Sequence, residues 1–586
     1  MKRPIKTDAV IGTSDVAPVA VGVTGHRLER LTGVDLDQLR ARLDELLRVL
    51  DSAVPGTPFR LIGSLADGAD MMAADAALAR GWQLDTVLPF GQDDYSRDFD
   101  QTGLLNLRDR LRASANVLEL PGSRDEAGGE AAAYERAGRV VLTQSDVLLA
   151  VWDGDPPRGR GGAAQIVGEA IAHGIPVLVV HPNGEQSPVL LWSGLNEHDT
   201  GPEALDTVAR GGLNDLPRLM NRLIAAVPCR AGERRSWRAG LPLFAIAYPL
   251  LLALTGVRRL RSADLRRPCP APRIPNSDAA TGLQARIDEQ LWPRFDRADC
   301  EASLAAQLFR SAFVSSFLLA AIAVTMSLLG LIVPATAKPF FAAGEFAAIA
   351  IILAVTQWGS HAGWHDRWLD QRTLAEELRC LAVSAPLGDL FLRGARAQDR
   401  EIAGRERRNT ARQIGLPSAR VDEAYLATAQ RSLLALLDDQ IGYVQQEAVR
   451  MHRLEHRLHG LGGALFTATA LICVGVLAIE GVGPLLAHGM SEAAHGLPLG
   501  VTVISASLPA IGAAIYGIRM QGDFAGAAER NAALGTQLAL LRRIAQDETP
   551  KFDGMRRLIR RTAELLTADV SQWVRATRAR PLSLPG

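Results

Sequence analysis

The chain has 586 residues in which 64 Lys and Arg balance 64 Asp and Glu, a formal net charge of +0. This balance leaves no basic surplus to favour nucleic acid, so no direct nucleic-acid partner is expected. At roughly 150 residues per domain the length allows three or four domains, the first large enough to bury its own core.

Residues 1–15 read as a tail. Met1–Val10 lacks the apolar stretch of a signal peptide, so the head that follows is expected to stay in the cytosol. Cys229, Cys269, Cys300, Cys380 and Cys473 are scattered, with no CxxC pair. That fits reduced thiols and gives neither a disulfide framework nor a zinc site, and no metal is expected.

The head occupies residues 16–230. Between Val16 and Pro182 short β-rich runs alternate with amphipathic helices, which predicts an α/β, Rossmann-like, doubly wound parallel sheet. Strands are expected at Val19–Thr24, Phe59–Gly63, Thr86–Phe90, Val117–Leu120, Val147–Trp152 and Pro176–His181. Helices fit at Leu36–Leu50, Ala69–Arg80, Leu104–Ala113, Glu130–Gln144 and Ala163–His173.

In open sheets of this kind ligands sit beyond the carboxyl ends of the strands. The first strand ends in VGVTGHR, where Thr24 and Gly25 leave amides open and His26 and Arg27 offer donors to an anion. The second ends in GSLADGAD, where Ser64 and Gly68 permit tight passage into a helix whose first amides and positive dipole end favour phosphate. Asp67 there either accepts from ribose hydroxyls or serves as a helix cap. The fifth runs into a Gly/Arg loop in which Arg158, Arg160, Gly161 and Gly162 can wrap a phosphate or ribose. Asp70 shares the ambiguity of Asp67, while in DDYSRDF Tyr95 and Arg97, with Asp93, Asp94 and Asp98, are either lid residues or a solvated turn. A glycine after a strand is often only turn geometry. There is no Walker GxxxxGKS/T and no GxGxxG, which weighs against ATPase and ordinary dinucleotide readings.

Residues 231–282 form a linker. Its uncharged run Ala239–Val257 is expected to be buried or interfacial, because Pro242 and Pro249 interrupt it and spanning would export Arg258, Arg259, Arg261, Arg266, Arg267 and Arg273.

Four longer apolar stretches follow in two pairs: Ser311–Ala337 with Phe346–His365, and Leu458–Ile479 with Ala493–Ile518. Each has room for the ~20 residues of a membrane-spanning helix, placed at about 311–333, 345–361, 459–479 and 498–518. The expectation is an all-α part with two membrane hairpins and long cytoplasmic helices, one unit at 283–400 and the second at 401–586. Arg294, Arg297 and Arg310 precede the first hairpin and Arg367, Arg372 and Arg379 follow it, while only Lys338 lies at its tip. Glu480–Glu492 has no Lys or Arg. Both tips are therefore expected outside, with the head and both chain ends in the cytoplasm. Tandem duplication is suggested by DEQ at Asp288–Gln290 against DDQ at Asp438–Gln440, and by Ala375-Glu376 against Ala528-Glu529. No ionisable residue sits mid-span, which argues against an ion-coupled transporter. His361 and His365 lie at i, i+4 with no third ligand evident, a spacing commoner in interfacial anchors.

Taken in order, VGVTGHR, SLADGADMMAA, LPFGQDDYSRDF, YERAGRVVLTQSDVLLAVWDG and GRGGAAQIVGEAIAHGIPV resemble a SLOG domain over residues 16–182. That superfamily includes the Lonely-guy cytokinin-activating hydrolases and the DNA-processing SMF/DprA proteins. The resemblance implies a nucleotide or nucleotide-derived ligand at the strand ends and adds Tyr134 to the candidates. Lonely-guy hydrolases carry GGxGTxxE. With Gly162 on a motif glycine, Ala163 replaces the threonine and Ile166 falls where the glutamate belongs. An isoleucine cannot act as acid or base, so ligand binding gains over hydrolysis. If the chain were an enzyme, Glu169, Asp67 and Arg160 would be its catalytic candidates. The hairpins resemble SLATT membrane effectors. Together these imply a homo-oligomeric, ligand-responsive effector in a bacterial inner membrane, acting in antiphage defence or programmed membrane damage. A membrane-tethered phosphoribohydrolase and a plain membrane scaffold are the alternatives.

Overall fold

The computed structural model describes residues 17–125, 127–157, 159–184, 186–196, 203–224, 241–267, 282–390, 402–486, 497–578 and 582. In the head, β1 (Val19–Gly25), β2 (Phe59–Gly63), β3 (Gln83–Leu88), β4 (Asn116–Glu119), β5 (Val147–Val151) and β6 (Val177–Val180) run parallel. Between them lie α1 (Leu36–Ala53), α2 (Ala69–Ala79), α3 (Gln101–Ala113), α4 (Gly129–Gln144) and α5 (Ala163–Ala172). Buried on both faces, β2 and β5 are nearly continuous apolar runs, as parallel strands require. α1 shows the matching helical stripe, burying Leu39, Leu43, Leu46 and Leu50 behind an Asp35 cap.

The full sheet has nine strands in the order β8-β7-β6-β5-β1-β2-β3-β4-β9. It is mixed, which corrects the purely parallel expectation. β7 (Val189–Leu191) and β8 (Arg210–Gly211) pair antiparallel at one edge, because the link after β6 is too short for a crossover helix. α6 (Leu216–Ile224) then packs on α1. At the opposite edge β9 (Ala419–Arg420) joins β4 from far along the chain. β3 begins earlier than expected. Asp85 looks out of place in a strand, yet it is fully buried, accepting from Asn116 Nδ2 at 2.8 Å with Arg60 3.9 Å away.

The C-terminal part is mostly helical. α7 (Ala247–Leu254) is preceded by a 3-10 turn and together they are too short to span a membrane. Tyr248 and Leu252 are buried, while Leu243 and Leu254 face outward. Ser311 Oγ donates to Ala245 O at 2.7 Å, so this segment leans against α8 (Trp292–Ile332). α9 (Lys338–Ala362) and α10 (Trp364–Ser384) follow, then α11 (Ile402–Ile414), α12 (Glu423–Leu486), α13 (Leu497–Gly522), α14 (Phe524–Asp547) and α15 (Phe552–Arg578).

Four helical stretches, within α8, α9, α12 and the α13 region, are long and apolar enough to cross a membrane. α12 has 64 residues, about 95 Å of helix and roughly three times a hydrocarbon core, so much of it must lie outside any bilayer. Phe340, Phe346, Leu471, Val474 and Leu477 project from these stretches unburied, a surface that water does not tolerate in such quantity. Gly517 lets Phe317 of α8 press onto α13, since a Cβ there would lie 2.2 Å from the Phe317 ring.

An internal correspondence links α8–α9–α10 with α12–α13–α14. Leu291 just before α8 and Ala298, Ala305 and Ala312 within it are buried, as are Leu437, Val444, Met451 and Leu458 of α12, in each case every seventh residue. α9 and α13 both end at a left-handed residue, Gly363 (φ 62) and Asp523 (φ 46), followed by a buried aromatic, Trp364 or Phe524. Beyond it, Leu374, Leu378, Leu381 and Ala385 match Leu534, Leu538, Leu541 and Ala545. This register corrects the motif pairing expected above. Ala375 corresponds to Gly535 rather than Ala528, and Asp288 and Asp438 stand at different points of the seven-residue pattern.

Candidate functional site

Strand order reverses between β1 and β5, the place where sheets of this kind open a crevice at their carboxyl ends. Thr24 and Gly25 close β1, in register with Ala150 and Val151, and the His26 amide continues to Val151 O at 3.2 Å. The β1 and β2 loops are zipped together: Leu28 N donates to Asp67 O and Ala69 N donates to His26 O. Gly68 makes this possible. Its φ is 121 and a Cβ would sit 2.6 Å from His26 O. Leu65 in the same turn holds φ 54 with its side chain buried, a strained backbone at a strand end.

Arg27 reaches solvent from the end of β1. Its guanidinium lies over the Tyr134 ring at 4.5 Å and stands 3.7 Å from Asp98, with 41% of its side chain exposed. Burial works against its charge, but Tyr134 and the acidic neighbourhood outweigh burial and raise its pKa. Tyr134 donates to Asp98, which also receives Arg124 at 2.6 Å, and Arg124 in turn lies over the Phe90 ring at 4.2 Å. Beneath this layer Tyr95 donates to Ser64 O at 3.0 Å, and burial lifts its pKa well above the ordinary value. Asp70 is buried, and burial raises its pKa to about 7 against the pull of the Ser64 and Ala66 amides. Asp67 is half-buried, and its pKa is raised by burial and by Asp100.

Other candidates lie elsewhere. His26 is buried, with Nε2 3.1 Å from Asp153 Oδ2, so it serves the loop after β5 rather than open solvent. Arg97 points outward, 73% exposed, and pairs with Asp94 at 3.1 Å. Arg158 lies outside the described residues. Gly161 (φ 79) passes so close to α4 that a Cβ would meet Glu135 N at 2.7 Å, whereas Gly162 caps α5 in an ordinary extended conformation. Arg160 pairs with Glu135 at 2.6 Å. The Glu169 carboxylate is held by Arg139 and Gln165 on the outer side of α5, away from Asp67, so the three enzyme candidates do not form one constellation. Among the described residues, no cluster of three or more His, Cys, Asp or Glu is arranged to hold a metal ion.

The sequence reading did not bring Arg124 or Phe90 to the site, and it left Asp98 undecided. Arg124 sits in a Gly/Ser loop with no motif around it. Its one signal is that the loop feeds directly into the Tyr134 helix. The result is a cation–aromatic layer, Arg27 and Arg124 over Tyr134 and Phe90, with Asp98 as an internal counter-charge. The long Arg27–Asp98 separation leaves that guanidinium able to exchange Asp98 for an incoming anion. Compared with protein-family models and with curated proteins, the chain matches none.

Proposed function

We propose that this protein is a membrane effector controlled by a cytosolic head that binds a nucleotide-derived small molecule at the carboxyl ends of β1, β2 and β5. In this reading the apolar helices form two membrane hairpins with tips outside, in a bacterial inner membrane, and both chain ends remain cytoplasmic. Heads filled with ligand assemble as homo-oligomers, and the hairpins then permeabilise the bilayer, the output expected of an antiphage defence device.

What supports the reading is that the head is built into the helical part rather than tethered to it. Arg412 of α11 holds Asp146, at the amino end of β5, through two bonds of 2.8 Å, and Asp146 also accepts from Ala20 N of β1. Arg286, just ahead of α8, donates to Ile414 O and Leu416 O at 2.6 Å and reaches Asn116 of β4. One face of the sheet, at Ala20, Ile62, Val87 and Leu118, shares a core with Leu433, Leu538 and Met555 of the helices. A shift of β1 against β5 at the ligand end is thus carried to the helices that lead into the apolar stretches.

The test uses the full-length protein. Small molecules extracted from it are identified by mass spectrometry and added back to dye-loaded liposomes containing it. Leakage without ligand turnover is the expected result, with Arg27→Ala losing both ligand retention and leakage. Turnover in intact vesicles overturns the proposal in favour of a hydrolase.

A further inference from the structure

A cavity about 300 Å³ in volume lies apart from the strand-end layer, between α4, α5 and α15. Six arginines and His173 line it against only three carboxylates, Glu135, Glu169 and Asp553. Those carboxylates are already engaged on the head side: Asp553 by Arg136 at 2.7 Å, Glu169 by Arg139 at 2.7 Å, and Glu135 by Arg160 at 2.6 Å. The surplus therefore comes from α15, which contributes Arg556, Arg557 and Arg560. Asp389 pairs with Arg560 at 2.7 Å and lies 3.6 Å from Arg556. One carboxylate beneath two guanidiniums leaves the cavity wall cationic.

Arg556 is the telling residue. It is 8% exposed; its Nη2 donates to Thr143 Oγ1 at 3.2 Å, but its Nε has no hydrogen-bond partner among the described residues. A buried guanidinium with an unmet donor is costly unless something in the cavity accepts from it. Burial pushes its pKa down, with Asp389 opposing. The Nε of Arg560, on the next turn of the same helix, is equally unmet. Two unmet donors on adjacent turns suit an acceptor with several oxygens, and forked guanidiniums match phosphoryl oxygens better than water does.

We propose that this cavity is a second anion site, taking a compact soluble oligophosphate such as pyrophosphate or the phosphate tail of a nucleotide. The ligand would grip the head through Arg139 and Arg160 and the C-terminal helix through Arg556 and Arg560. α15 packs against both α10 and α14, the helices that follow the second and fourth apolar stretches. Occupancy therefore fixes how the head is held against the membrane part, independently of what fills the strand ends.

Calorimetry on the full-length protein in detergent, with sodium pyrophosphate as the probe, tests this. Binding at one site per chain and a raised melting temperature are expected. Arg556→Lys, which keeps charge but loses the fork, should weaken binding about tenfold, as loss of a charged hydrogen bond does. Arg557→Gln, at an exposed position that leaves the fold intact, should weaken it by about threefold, the size of a peripheral charge effect. Arg27→Ala should leave it unchanged, which separates this site from the strand-end proposal. Absence of pyrophosphate binding to the wild-type protein overturns the inference, as does equal affinity in both α15 variants or loss of binding in Arg27→Ala. Displacement of pyrophosphate by phosphatidylglycerol vesicles overturns the assignment to a soluble ligand.

Discussion

At the carboxyl ends of the strands Arg27 stands 3.7 Å from Asp98 with 41% of its side chain in solvent, whereas at the amino ends Arg412 meets Asp146 through two 2.8 Å bonds and both are buried. Arginine and aspartate thus appear at both ends of one sheet under opposite conditions. The exposed pair is long and exchangeable. The buried pair is bidentate, and the charge of Arg412 holds the Asp146 carboxyl below its ordinary range against the cost of burial. An anion from solution can compete with Asp98, but nothing can reach Asp146. One end is open to exchange with solvent and the other joins the head to the helices.

The sharpest way to break that comparison is at the joining end. Arg412→Ala leaves Asp146 buried without its partner and should cost about 3–5 kcal/mol, read as a large fall in melting temperature. Replacing both residues by leucine should recover most of the loss. A single variant that melts like the wild type would mean that the two ends do not differ as argued.

Asp70 offers the next largest effect, at the carboxyl ends of the strands. Its folded-state pKa of about 7 lies above the ordinary 3.8. Between those values the folded chain keeps a proton that the unfolded chain has released. Asp70's own contribution to stability is therefore fully present below about pH 4, falls by at most about 4 kcal/mol as pH rises to about 7, and is flat above that. Asp70→Asn should flatten this part of the stability–pH profile measured by denaturant unfolding.

Two neighbouring glycines give the finer contrast. Gly161→Ala meets the backbone of α4 in a left-handed conformation and should cost about 1–2 kcal/mol or more. Gly162→Ala meets only Gly159 O at 3.7 Å and should stay within about 0.5 kcal/mol, so equal melting points for the two variants would contradict the loop geometry.

Much of the sheet was legible because β1, β2 and β5 are Val/Leu/Ile runs bounded by glycine. β9 was not, since Ala419-Arg420 carries no strand signal and exists only by pairing with β4. The start of β3 was hidden by Asp85, whose burial depends on Asn116 and Arg60. At the candidate site, Arg27 was legible from its place after a strand. Arg124 and Asp98 were not, because their meeting is spatial. His26 was misread as an open donor, since a sequence does not show Asp153 closing over it. In the helical part, hydropathy marked the apolar stretches, but the true repeat register lay in buried leucines rather than in the Ala-Glu steps that catch the eye.

The buried pair also constrains how the protein is made. Asp146 and Arg412 are separated by 266 residues, and the first two apolar helices lie between them. At 5–20 residues per second the ribosome needs about 13–53 s to supply the partner. During that interval the edge of β4 has no β9 and the carboxylate at the foot of β5 lacks Arg412. The head therefore reaches its final form only after the first two apolar helices have been synthesised, so those helices are made before the sheet they follow is complete.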